Sequence, residues 1–168
     1  MNLKEGLLKK HSLVQATIIN SWAIESKTNL KQLMQACFGK DKILVQRASW
    51  SASKAYDLKP EWFDTYLLEL ITCLDKPIHG SVRRNSLRIM QTMHIAEEYQ
   101  SQLIDKLFGL ISDPKEESAV KAFAMTVACN IVKRHPDLVQ ELKIIIEDQL
   151  PYSTPSFKSR ANKIIKKL

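Results

Sequence analysis

Glycine is scarce in this chain of 168 residues, with four copies, all isolated, beside six prolines. No Gly-rich phosphate loop is present, neither a P-loop nor G-x-G-x-x-G, and no G-x-S-x-G nucleophile turn. Long flexible linkers are excluded by the same shortage. Cysteine is also rare: Cys37, Cys73 and Cys129 are odd in number and far apart, without a C-x-x-C pair. That pattern speaks against a disulfide framework and for small buried side chains in a reducing compartment. His11, His79, His94 and His135 lack short ligand spacing, so neither a metal nor another cofactor is expected. Nothing approaches the roughly 18 consecutive apolar residues of a membrane span. No signal-peptide core follows Lys9-Lys10-His11, so the expected location is cytoplasmic, with no membrane contact. Period-2 alternation and Asn-Gly or Asp-Gly turns are missing as well, which removes the case for strands.

Charge is present but unevenly placed. The formal net charge is +7, yet residues 151–168 hold Lys158, Arg160, Lys163, Lys166 and Lys167 with no acidic residue. The rest of the chain is therefore close to neutral, and the overall basicity is a weak argument for nucleic-acid binding.

The dominant positive signal is repetition. Val45-Gln46-Arg47-Ala48-Ser49-Trp50, Val82-Arg83-Arg84-Asn85-Ser86-Leu87 and Val120-Lys121-Ala122-Phe123-Ala124-Met125 recur at steps of 37 and 38. A weaker copy, Phe157-Lys158-Ser159-Arg160-Ala161-Asn162, follows 37 residues later. An apolar helix precedes each copy. Leu30, Leu33, Met34 and Cys37 stand before Val45 at the same offsets as Leu67, Leu70, Ile71 and Leu74 before Val82. Leu142, Ile145 and Ile146 keep three of those offsets before Phe157, while Ile104, Leu107, Phe108 and Ile111 are slipped by one. Two offset-matched helices per unit, repeated about every 37 residues, predict stacked helical pairs that bury their apolar faces against one another.

Helix boundaries are legible too. Pro60 is expected to open a helix carrying Trp62, Phe63 and Tyr66 onward. Asp113-Pro114-Lys115-Glu116-Glu117 reads as a helix start with acids in its first turn. Pro136 opens another, and Thr154-Pro155 gives a cap followed by proline at the first helical position.

These paired helices, with Asp113-Pro114 before Val120-Lys121 and the basic residue kept at Val82-Arg83, resemble HEAT or armadillo-type repeats. The whole chain is similar to small stand-alone bacterial HEAT-like proteins. The resemblance implies an all-α, right-handed α-α superhelix forming a single domain. Its expected parts are an N-terminal cap over 1–25 and repeats over 26–58, 59–95, 96–134 and 135–168. It also implies that the column Gln46, Arg83, Lys121 and Lys158 hydrogen-bonds the preceding turn and the adjacent repeat.

In such solenoids the second helices line the concave face, which makes Arg47, Trp50, Lys54, Arg84, Arg88 and Gln91 the candidate partner-binding residues. An aromatic among arginines suits protein interfaces and nucleic-acid grooves alike. HEAT-like DNA glycosylases resemble the chain in architecture, and their catalysis needs Trp-x-x-x-Asp on an inner helix. Here Trp50 is followed at that spacing by Lys54, Trp22 by Ser26 and Trp62 by Tyr66, so catalysis is not expected. The expected function is a non-enzymatic scaffold for a protein or peptide partner. Nucleic-acid binding through Arg47, Arg83, Arg84, Arg88 and the terminal lysines is the alternative.

Overall fold

The computed structural model describes all residues 1–168 and contains helices and turns only, with no strand. It divides into two compact units, Met1–Ile89 and Met90–Leu168. The first contains α1 (Leu3–Lys9), α2 (Leu13–Ala23), α3 (Lys27–Cys37), α4 (Lys42–Leu58), α5 (Leu67–Thr72) and nearly all of α6 (Gly80–Met90). The second contains α7 (Glu97–Ser112), α8 (Ser118–Val132), α9 (Val139–Gln149) and α10 (Pro155–Ile165).

Short polar side chains start many of these helices by accepting the otherwise unpaired first-turn N–H groups. Ser12 accepts from Gln15, Ser26 from Asn29 and Thr154 from Phe157. Asp41 accepts from both Ile43 (2.9 Å) and Leu44 (3.1 Å), and its charge also suits the positive end of α4. Residues 1–25 form two helices, α1 and α2.

The repeated residues form the core. Val45, Val82, Val120 and Phe157 are all at most 2% exposed, so the four copies occupy equivalent interior positions. Burying a side chain of this kind contributes about 1.5–3 kcal/mol. Most offset-matched residues of the first helices are buried too, from Leu30, Leu33, Met34 and Cys37 to Leu142 and Ile146, while Ile145 is only partly buried. Between helices sit the small residues Ala48, Ser49, Ala52, Ser86 and Ala124, every one buried, which lets backbones approach closely. Within the first unit α3 packs on α4, and α2 packs on α4. Within the second, α7 packs on α8 and α10 packs on α8.

Two expectations about boundaries are corrected. The segment from Pro60 is not one helix. It runs as 3-10 turns at Pro60–Trp62 and Asp64–Tyr66, then the short α5, then another 3-10 turn at Cys73–Asp75. Phe63 is fully buried, with Tyr56 at 5.3 Å and Tyr66 at 6.2 Å between ring centroids, and the backbone tightens on either side of it. Seating this aromatic overrides the helical period. The second correction is at α8, which begins at Ser118 rather than at Asp113. Asp113 instead closes a turn on itself, its carboxylate accepting from the Lys115 N–H at 2.8 Å and its carbonyl from Glu116 at 3.2 Å.

Candidate functional site

Charge is divided between the two helices of successive pairs. The segment 60–75 carries Glu61, Asp64, Glu69 and Asp75 with no basic residue, whereas α6 carries Arg83, Arg84 and Arg88 with no acidic one. Acids outnumber bases in α7 and α9; α8 has Lys121 alone, and α10 has Lys158, Arg160 and Lys163. Among the second helices, α4 is basic as well, with Lys42, Arg47 and Lys54 against Asp57. Only α3, with two lysines, departs from the acidic pattern of the first helices.

Arg47, Trp50 and Lys54 are spaced to share one face of α4, and Arg84, Arg88 and Gln91 run along α6 and just past its end. Their surroundings differ. Arg47 reaches back to the C-terminus of α1, where Nη1 donates to the Leu7 carbonyl at 2.8 Å and the Leu8 carbonyl at 3.0 Å. Its Nε is buried without a partner. Arg88 donates to the Ser53 carbonyl (3.0 Å) and hydroxyl (2.9 Å) and grips Asp57 with both arms. Gln91 accepts twice: Asn130 Nδ2 donates to its carbonyl at 2.9 Å, and Arg160 Nη1 to its Oε1 at 3.3 Å. Arg160 also donates to Thr126 Oγ1 at 2.8 Å.

Three of the six candidates are thus held by hydrogen bonds that tie one helix to an earlier or later one. Trp50 is half-buried, its ring centroid 5.2 Å from that of the exposed His11. Lys54 and Arg84 are half-exposed on α4 and α6. In the column one place before Arg47 and Arg84, two of the four residues, Arg83 and Lys121, bond beyond their own helix. Arg83 Nη2 reaches the Lys76 carbonyl of the preceding turn at 3.4 Å, and Lys121 Nζ reaches Gln149 Oε1, 28 residues on, at 2.9 Å. Burial pushes the Lys121 ammonium below the ordinary lysine range, against the opposing pull of Asp113 and Glu116.

Sequence reasoning missed Asp57, the one carboxylate on α4. It belongs to no column of the repeat, and its contact with Arg88 spans 31 residues, so no local pattern marks it. Ser49 was read only as a small residue, yet it anchors polar contacts: Asn85 Nδ2 donates to its hydroxyl at 3.2 Å, and its own hydroxyl lies 3.4 Å from that of Ser81. The cysteines are where their apolar context put them. Cys37, Cys73 and Cys129 are buried as free thiols, and burial pushes all three up from the ordinary thiol range.

No helix is long and apolar enough to cross a membrane. Comparison with protein families finds one described as a HEAT repeat domain, matching residues 3–168. No curated protein and no solved structure matches the chain significantly. With nearly its whole length matched and with helical pairs whose repeated residues form the core, the chain belongs to the HEAT repeat family.

Proposed function

We propose that the chain is a non-enzymatic interaction scaffold that holds an acidic protein or peptide segment against its second helices. The division of charge carries this reading: second helices are basic throughout, and most first helices are acidic. HEAT repeats commonly mediate protein interactions, and the concave face of such an array is lined by second helices. On that face Trp50 supplies an apolar anchor, and Lys54 and Arg84 supply charge. Arg47, Arg88 and Gln91 contribute by fixing the frame, since their hydrogen bonds within the chain hold them in place and reduce the ordering cost of binding.

The same basic helices suit a phosphate backbone, which is the second reading. Engagement of Arg47 and Arg88 by carbonyls and by Asp57 leaves fewer guanidinium groups to neutralise phosphates, and this favours the peptide. The lack of an activated group favours binding over catalysis. Asp57 is neutralised by Arg88, and the thiols are held protonated by burial.

The test compares the wild-type protein with Lys54→Glu/Arg84→Glu. Crosslinking and mass spectrometry in cell extract should recover an acidic segment attached near Trp50 in the wild type, and the double variant should lose it. Equal recovery by both proteins would place the interaction elsewhere. Binding to labelled DNA or RNA with a steep salt dependence, a logarithmic slope of about −0.9 per phosphate contact on duplex DNA, would replace this reading by the second.

A further inference from the structure

Among the α-helices, α2 alone has no charged residue, and it is apolar on both of its sides. Its inward half holds Gln15, Ala16, Ile19, Asn20 and Ala23, all buried, where the helix packs on α1, α3 and α4. Its other half holds Leu13, Val14, Thr17, Ile18 and Ser21, all exposed, with Val14 at 72%. Polarity is partly inverted here: two carboxamides lie inside and three aliphatic side chains outside. A helix that is apolar all round is ordinarily a buried one. The end of a repeat array ordinarily presents a polar outer face to water. This end does not.

Beside that face α1 and α2 border a surface groove of about 580 Å³. Met1, Leu8 and Ile18 make its accessible lining mainly apolar, and Glu5 and Lys9 add one charge of each sign. Gln15, also on the lining, donates Nε2 to the Gly6 carbonyl at 2.9 Å and so fixes α2 against α1. Around the groove Met1, Leu8, Leu13, Val14 and Ile18 are between 46% and 72% exposed. Together they leave about 500 Å² of surface open, toward the upper end of the largest patches that monomers carry.

We infer that this face is the interface of a symmetric dimer, its occupant a second copy of the chain. The face carries a projection and a hollow side by side: Leu13 and Val14 stand out from α2, and the groove lies along the Ile18 edge. A two-fold axis then seats each copy's Val14 at the other's groove, as a self-complementary contact requires. Antiparallel pairing of the two α2 helices sets Lys9 and Lys10, which precede the helix, beside Glu25, which follows it in the other copy; all three are exposed. With no charge on α2 itself, the copies bring no like charges together at the axis. The patch with its polar rim approaches the ~800 Å² per partner of a stable interface. A lipid surface suits the face less well. It is flat where the groove is hollow, and the exposed half of α2 lacks the aromatic residues that anchor proteins among headgroups. Trp50, Lys54 and Arg84 take no part, so the dimer goes beyond the scaffold reading and stands or falls independently of it.

The experiment is sedimentation equilibrium of the purified full chain over a range of concentrations. The expected result is a reversible monomer–dimer equilibrium with a micromolar Kd and no species larger than the dimer. Val14→Glu and Val14→Lys should each raise that Kd at least tenfold, because either sign puts a charge into an apolar groove. Thr17→Arg, at the middle of the same exposed face, should do the same. All three positions are exposed in the monomer, so helicity by circular dichroism is expected to stay unchanged and to separate lost pairing from lost folding. Ile144→Glu, at an exposed apolar position on α9, should leave the Kd as it is. A wild-type protein that remains monomeric at the highest soluble concentration would overturn the assignment. So would growth beyond the dimer, or an equal weakening by Ile144→Glu. A monomeric wild type that sediments with vesicles of anionic phospholipid, and loses this with Val14→Glu, would give the face to lipid instead.

Discussion

Arg88 and Asp57 meet through two parallel bonds, Nη1 to Oδ1 at 3.0 Å and Nη2 to Oδ2 at 2.9 Å, across 31 residues of sequence. The same Nη1 donates to the carbonyl and hydroxyl of Ser53 one turn earlier on α4. One guanidinium therefore joins α6 to α4, the second helices of consecutive pairs. Both partners are a third or more exposed, so solvent weakens the pair relative to a buried one. Bidentate geometry and the Ser53 contacts offset part of that loss.

Arg88→Ala is accordingly expected to cost about 1–2 kcal/mol, read as a fall in the urea midpoint. Arg88→Lys keeps the charge and loses the fork, so it should recover less than half of that cost. An Asp57→Ala variant should lose nearly as much as Arg88→Ala, and the double variant little more, because the two residues share one interaction. Strict additivity of the single losses would show that the pair contributes nothing.

Arg47 holds a helix too short to hold itself. Seven residues make α1, well under the length at which an isolated helix persists in water. Arg47 occupies two of its terminal carbonyls, Leu7 and Leu8, and buried Leu7 supplies the packing. Arg47→Gln should leave total helicity nearly unchanged and loosen α1 selectively. Hydrogen exchange of amides 6–9 is expected to rise about tenfold, with those of α3 unaffected. Uniform acceleration throughout the first unit would show that Arg47 supports the whole unit instead.

Periodicity and capping were legible because each is written in adjacent residues. Val45, Val82, Val120 and Phe157 repeat at a fixed step, all four are buried, and Thr154-Pro155 caps α10 as its residue types require. What escaped reading depends on contacts between distant residues. Phe63 interrupts its helix because of Tyr56, a partner on the preceding helix. Acids at 116–117 resemble a first helical turn in isolation, but Asp113 forms its own turn and delays α8 to Ser118. Among the candidate site residues, spacing placed Arg47, Trp50 and Lys54 correctly on one helix. It could not show that Arg47 and Arg88 are already engaged, since Leu7 lies 40 residues from Arg47 and Asp57 belongs to no repeat column.

The three cysteines offer a direct reading of native-state opening. Each is at most 2% exposed, and burial favours the unreactive thiol over the thiolate. Ellman's reagent at mildly alkaline pH should therefore label native protein about 100-fold more slowly than denatured protein, at all three positions. Counting modified thiols by mass spectrometry checks this. Rapid modification of Cys129 alone would mean that α8 opens while the first unit remains closed.

Lys121 gives the clearest dependence on pH. Its side chain is buried on α8, with Nζ bonded to Gln149 and with Asp113 and Glu116 exerting a partial opposing pull. Burial depresses its pKa in the folded protein, so between that value and the unfolded one, about 10.4, the unfolded chain binds more protons. Stability must then rise with pH through that window. The handicap from holding a buried charge is fully present below the folded pKa and is gone above the unfolded one. Lys121→Met, which keeps an unbranched stem one atom shorter and removes the charge, is expected to equal or exceed the wild type by up to about 1 kcal/mol near neutral pH. Its advantage should shrink as pH is raised toward 10, because only the wild type gains there. Lys121→Ala should be less stable than Lys121→Met at every pH, since it leaves a cavity where the aliphatic stem packed. Urea midpoints for the three proteins across this range decide the matter. A methionine variant that is markedly less stable at neutral pH would show that the bond to Gln149 outweighs the burial of the charge.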